Sequence, residues 1–314
     1  MQEIAEYEPE NRGLNTGLIY LDKLICGFRP GKFNIVAGYS GHGKTSLMLT
    51  SAVYNMSEET PVLFYSCDDT DDMIMAKVLA MLHGISTEEV EMKGPKWRSK
   101  EAESLEPMLQ ICTPQHKSAY DADDLLRIYD EVSDYWGCTP VLCAFDYLSL
   151  MDGGRGMDGR SDVVFKARRL KDLARRTDES VWLVGHQCKK DAGADCPALL
   201  LNHLEYGGHQ EADGVVIGCR RRITTTKMPG WELELEEFSP TTNVSVMKNK
   251  ITGKTSPNPV GTVYVIDATS GIIREMDDDE RRARENKGAA AAGPLGTRLA
   301  LVGSSLTNRE DDNG

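Results

Sequence analysis

The chain has 314 residues, 40% of them hydrophobic, with a net charge of −13. That length fits one large α/β domain or two small ones, and the apolar share is enough for a buried core. No window approaches the ~18 uninterrupted apolar residues of a membrane span, the acidic start M-Q-E-I-A-E-Y-E-P-E is unlike a secretory leader, and the excess acid argues against a protein that coats DNA generally, though not against one local basic surface.

Up to about Glu10 there is little to order. The first clear element is the apolar run F-N-I-V-A (33–37), which reads as a buried strand over 33–38. It leads into G-Y-S-G-H-G-K-T (38–45), a match to G-x-x-x-x-G-K-[ST], and then into S-L-M-L-T-S-A-V-Y-N, which reads as a helix over 44–56. Strand, glycine loop and helix in that order make a phosphate cradle. The glycines let successive N–H groups turn inward, and the helix N-terminus adds partial positive charge. The spacing assigns nucleotide contacts to Gly38, Ser40, Gly41, His42, Gly43, Lys44, Thr45 and Ser46. Lys44 would reach the β- and γ-phosphates of ATP, and the Thr45 hydroxyl would hold Mg²⁺.

Further strands are expected at 62–66, 109–113, 141–146, 181–186 and 214–219, with helices over 71–83, 122–136 and 161–177. This alternation is that of an α/β fold with a mostly parallel central sheet flanked by helices. V-L-C-A-F-D ends in Asp146, a carboxylate placed to meet the Mg²⁺ shell opposite Thr45. W-L-V-G-H-Q ends in Gln187, which can hydrogen-bond the γ-phosphate or the attacking water and so report whether that phosphate is present. The neighbouring His186, Cys188, Cys196 and His203 match no common zinc spacing. The eight cysteines include no C-x-x-C pair, which suits reduced thiols and a cytoplasmic protein.

After Cys219 the periodicity becomes two. Trp231, Leu233 and Leu235 alternate with glutamates as in a half-exposed antiparallel strand, and 243–250 and 261–267 read as further strands. From about Asp277 the chain turns charged and then rich in Ala, Gly and Ser. The expected organisation is an extension (1–13), a core domain (14–276) and a largely disordered tail (277–314).

Taken together these motifs resemble the ATPase core of the DnaB-type replicative helicases, within the RecA-like superfamily. The lead-in L-N-T-G-L-I-Y-L-D-K-L-I-C-G-F-R-P-G-K-F-N-I-V-A-G (14–38), D-Y-L-S-L-M (146–151), Q-E-A-D-G-V-V-I-G-C-R (210–220) and M-K-N-K-I-T-G-K (247–254) occur in that family's order. The resemblance covers roughly 14–275 and implies a RecA-like phosphate-loop fold with C-terminal antiparallel strands. It also implies ATP and Mg²⁺ bound between subunits of a homo-oligomer, a hexameric ring by expectation, that moves on single-stranded DNA during replication. Primase or loader partners, a compact phage-type chain without the family's N-terminal domain, and no membrane association follow from the same likeness.

At two places the chain departs from the family pattern. Where the family carries its glutamate base, this chain reads S-C-D-D, so the aligned base is Asp68, one methylene shorter. D-D-T-D-D (68–72) also reads as a helix cap rich in acid. The family's trans-acting lysine and arginine correspond to Lys248 and Lys250; two positions apart on a strand they would share a face, and lysine lacks arginine's planar fork. DNA contacts are expected from Arg155 and Arg160 in D-G-G-R-G-M-D-G-R and from Lys189 and Lys190 in C-K-K-D-A-G-A-D. Helix 161–177, with its six Lys and Arg from Lys166 to Arg176, is either a pore lining or a basic face paired with acids nearby. A filament-forming recombinase, a nuclease using the 68–72 aspartates and a non-motor ATP-binding partner protein remain as rival functions on the same core.

Overall fold

The computed structural model describes residues 13–114, 119–154, 156–189, 198–227 and 234–284. The chain divides into two compact units, Met1–Arg274 and Glu275–Gly314. The described strands are β1 (Phe33–Gly38), β2 (Val62–Ser66), β3 (Leu109–Cys112), β4 (Leu142–Asp146), β5 (Val181–Gln187), β6 (Val215–Lys227), β7 (Glu234–Asn249), β8 (Thr262–Ile266) and β9 (Ile273–Glu275). They form one sheet in the order β3-β2-β4-β5-β1-β6-β7-β8-β9. The pairs from β3 to β6 are parallel, and β7 and β8 add antiparallel.

All six residues of β1 are buried, as expected of a central parallel strand covered on both faces. Successive residues alternate between two cores. Val36, Phe64, Ala144 and Leu183 pack in one core with Leu47 and Met48 of α2 (Lys44–Ser57) and Ile74 of α3 (Asp71–His83). Ile35, Tyr65, Phe145 and Val184 pack in the other with Leu125 of α6 (Ala122–Trp136) and Leu170 of α7 (Gly159–Arg176). Trp182 is fully buried in this second core, stacked on Tyr65 at 5.9 Å, with its indole N–H donating to Thr177 at 2.7 Å. Truncating it to alanine would cost about 3–5 kcal/mol. The buried Asn34 clips the sheet centre together. Its amide donates to the carbonyls of Lys32 and Trp182, and its oxygen accepts from Val215 N–H at 2.9 Å.

Three short helices lie outside the expected set: α1 (Ile19–Ile25), α4 (Thr87–Met92) and α5 (Pro95–Leu105). α5 buries none of its residues, so it carries no apolar stripe by which periodicity finds a helix. α4 is announced only by the capping box of Ser86 and Glu89. β6 runs eight residues past its expected end, to Lys227, where it pairs with Glu234 of β7. Trp231 and Leu233 lie outside the described residues. Residues 278–284 are helical where a disordered tail was expected, and 285–314 lie outside the described residues.

Candidate functional site: a phosphate cradle at the sheet edge

The neighbours β4, β5 and β1 present their C-terminal ends side by side, which is where an open α/β sheet holds its ligand. Gly38 pairs with Gln187, so the start of the glycine loop and the end of β5 are in register. Gly43 turns into α2 with φ 99°, and Gly41 has φ 74°, conformations that side chains other than glycine's rarely adopt. No side chain among the described residues caps α2. Its first-turn amides thus face the loop without a side-chain acceptor, the arrangement that receives a phosphate.

Under that helix end the Thr45 hydroxyl donates to Asp146 Oδ2 at 2.6 Å. Asp146 is 2% exposed, and its other oxygen, Oδ1, has no hydrogen-bond partner among the described residues. Burial pushes its pKa up; Thr45 and Lys44 pull it down, and Asp68 and Asp69 add to the rise. A buried carboxylate with an orphan oxygen is costly unless a cation joins it. Thr45 and Asp146 therefore fit Mg²⁺, which characteristically takes one or two protein oxygens and completes its shell with phosphate and water. Gly185 makes room for this carboxylate, since a Cβ there would lie 2.6 Å from Oδ1. Lys44, 8% exposed, donates to Gln187 Oε1 at 3.1 Å and to the Tyr39 carbonyl at 3.5 Å. The phosphate-binding lysine and the expected sensor thus already share a hydrogen bond.

His42, a variable position of the motif, is buried and locks the loop from behind. Arg221 N–H donates to His42 Nδ1 at 2.9 Å, and Thr242 Oγ1 donates to the His42 carbonyl at 3.1 Å. Arg221 also donates to the Gly41 carbonyl at 3.1 Å while its guanidinium lies over Phe238. Burial, then Arg220, Arg221 and Lys44, hold the His42 pKa down to about 4, so the ring is neutral. Sequence reasoning missed Arg221 and Thr242, which lie on β6 and β7 some 180–200 positions away. No local pattern marks them.

The remaining expected residues are spread around this centre. Gly38 is buried, Ser40 and Gly41 are exposed, and Ser46 is half-buried. Asp68 is exposed past the end of β2, near enough to Asp146 to raise its pKa. Asp69 pairs with Lys77 and Thr70 caps α3, so part of the 68–72 cluster is a helix start. Arg160 and Lys189 are exposed beyond β4 and β5; Arg155 and Lys190 lie outside the described residues. In α7 five cations are paired: Lys166 with Asp162, Arg168 and Lys171 with Glu211, Arg169 with Asp123, and Arg175 with Asp213. Five of the six cations from Lys166 to Arg176 thus meet acids nearby. Among the described residues no group of three or more His, Cys, Asp and Glu is placed to hold a metal ion. The His186 ring instead donates through Nε2 to the Gly207 carbonyl at 2.8 Å.

The two hairpin lysines depart from expectation. β7 ends at Asn249, so Lys250 lies in the following turn and shares no strand face with Lys248. Lys250 is exposed. Lys248 turns into its own chain and donates to the carbonyls of His209 at 2.7 Å, Ala212 at 3.0 Å and Gln210 at 3.3 Å. Burial, with Lys250 and Lys171, lowers its pKa to about 8 against the opposing pull of Glu211 and Asp213.

Residues 13–256 match the model of the DnaB-like helicase C terminal domain. The replicative DNA helicase DnaB of Helicobacter pylori (strain J99) is 22% identical over 209 residues, 65% of this chain and 43% of that one. The replicative DNA helicase DnaB of Mycoplasma genitalium is 23% identical over 214 residues, 65% of this chain and 45% of that one. The chain thus spans less than half the length of these curated relatives. Among solved structures, a DnaB-like replicative helicase studied with primase superposes with a TM-score of 0.68 at 15% identity, over 86% of this chain and 64% of that one. A second solved structure, an ATPase domain, superposes with a TM-score of 0.66 at 16% identity, over 84% of this chain and 92% of that one.

Proposed function

Since the chain belongs to the DnaB-like helicase C-terminal domain family, we propose that it is the ATP-hydrolysing motor of a replicative DNA helicase, acting in the cytoplasm as a homo-oligomeric ring, a hexamer, on single-stranded DNA. The observation that carries the proposal is the pairing of Thr45 with the half-satisfied Asp146 beneath the uncapped start of α2, with Lys44 and Gln187 alongside.

In this reading the α2 amides and Lys44 bind the β- and γ-phosphates, and Thr45 and Asp146 hold Mg²⁺. The metal, when bound, neutralises charge on the phosphate oxygens. When nucleotide arrives Gln187 gives up the Lys44 bond on Oε1 and donates its amide N–H to the γ-phosphate, which makes the end of β5 the sensor. Asp68 accepts a proton from the water that attacks the γ-phosphorus, with ADP as the leaving group. Being exposed and one methylene short, it supports slow turnover in isolated subunits. Lys250, exposed in the turn after β7, completes the site of the adjacent subunit. Arg160 and Lys189 contact the DNA backbone, since phosphate contacts fix position without reading bases. Primase and a loader are the partners expected of the assembled motor.

The test is ATPase turnover with and without single-stranded DNA for wild type, Lys44→Ala and Asp68→Ala. DNA-stimulated hydrolysis that Lys44→Ala abolishes and Asp68→Ala lowers about 10²-fold is the expected result. Tight ATP binding with no turnover on any DNA would instead make the chain a nucleotide-dependent partner protein. Of the aspartates the nuclease reading would use, Asp69 is already paired with Lys77.

A further inference from the structure

Three carbonyls from four consecutive residues, those of His209, Gln210 and Ala212, converge on the Lys248 ammonium. Carbonyl oxygens gathered around one point repel one another unless a donor group sits among them, and an ammonium supplies three N–H donors and a positive charge. The segment they belong to is bound to the sensor strand at its other end. Glu205 N–H donates to the Gln187 carbonyl at 3.0 Å, and His186 Nε2 donates to the Gly207 carbonyl at 2.8 Å. Gly208, with φ 76°, packs so closely that a Cβ there would lie 3.1 Å from Val163 and 3.5 Å from His186 Nε2. Residues 205–212 thus form a short strap between the end of β5 and the Lys248 side chain on β7.

We propose that Lys248 is a positioning residue for the ATP site of its own protomer: it fixes the 205–212 strap and, through it, the His186–Gln187 end of β5. Lys250 keeps the trans role, and the inference rests on the ATPase reading above. The two lysines then divide the work, one serving the site within its chain and the other the site next door.

Mixed-subunit ATPase assays separate the two roles. A mixture of Lys250→Ala and Lys44→Ala subunits should regain turnover, because the second kind supplies Lys250 to intact sites of the first. Failure of that mixture would overturn the trans reading of Lys250 and leave the Lys248 inference to its own tests. Lys248→Ala alone should lose about 10²-fold in turnover, the scale of a 1 Å misplacement of a catalytic group. Mixed with Lys44→Ala it should stay inactive, whereas mixed with Lys250→Ala it should restore activity, which also shows that it folds and assembles. Recovery with Lys44→Ala would overturn the proposal, and so would no restoration of Lys250→Ala by Lys248→Ala subunits when Lys44→Ala subunits do restore it.

A second variant and a second readout guard the result. Lys248→Arg should restore turnover only in part, because the bulkier planar fork must shift carbonyls spaced for a compact ammonium, although arginine would serve a phosphate contact better. Wild-type turnover in that variant would overturn the proposal. Amide exchange in nucleotide-free protein should quicken at residues 205–212 in Lys248→Ala and not in Lys250→Ala; unchanged exchange in Lys248→Ala would overturn it too.

Discussion

Two inward-turned lysines, 204 positions apart in the chain, show how this molecule separates a ligand site from a structural one. Lys44 holds a side-chain amide at 3.1 Å and a carbonyl at 3.5 Å, next to a carboxylate with one oxygen unpartnered among the described residues and a helix no side chain caps. Lys248 has three carbonyl acceptors, at 2.7, 3.0 and 3.3 Å. The first corner is left short of partners; the second is saturated. Loose, exchangeable bonds at Lys44 are what a ligand can replace, while the cage at Lys248 leaves its ammonium no valence for a phosphate.

The strongest way to break this contrast is at Asp146. Asp146→Asn should lower Mg²⁺-dependent turnover by about 10²-fold or more. The same change should raise the thermal midpoint of the nucleotide-free protein by roughly 2–4 °C, because it removes a buried charge whose pKa burial has raised. With the folded pKa raised, the wild-type penalty appears as pH climbs past the normal carboxylate value and is absent at lower pH. A melting point lowered by the substitution would show that the carboxylate is saturated after all. Next, Gly185→Ala should push the carboxylate aside and lower turnover about tenfold, while leaving ATP binding by Lys44 measurable; wild-type turnover would mean that Asp146 has slack.

Acid tests the two buried rings that flank the loop and the strap. Burial holds both His42 and His186 down to about 4 from 6.5. Each takes up a proton when the chain unfolds between those values, so stability is full above pH 6.5 and falls as pH drops through the window, by on the order of 1–3 kcal/mol for each ring. Urea unfolding at pH 7 and pH 5 measures it, and His42→Asn should remove part of the slope, since burial also lowers His203 and His209. The smallest effect belongs to the paired cations of α7. Arg168→Ala should change single-stranded DNA affinity less than about twofold, whereas Arg160→Ala and Lys189→Ala should each weaken it and reduce the salt dependence by about one phosphate contact. A large loss from Arg168→Ala would return α7 to the pore.

What the sequence made legible follows from where the physics is local. β1, the loop and α2 were readable because an apolar run, glycines and a helical pattern are adjacent in the chain. Asp146 and Gln187 were readable because each ends a strand apolar enough to be central. α5 stayed hidden because it packs only through the half-buried Trp97 and Leu105, and the place of Lys248 because its acceptors lie 36–39 positions earlier. The strap they form depends on β7 lying beside β6, a pairing that residue types alone do not encode.

The clamp on His42 has a consequence for dissection of the molecule. A fragment ending near residue 214 would contain every residue of the glycine motif, the helix behind it, Asp146 and Gln187. It would lack Arg221, Phe238 and Thr242, which shape the motif from the far strands. Such a piece should carry the signature without the grip, and its affinity for nucleotide should return only when a separately supplied 215–276 segment reassociates with it.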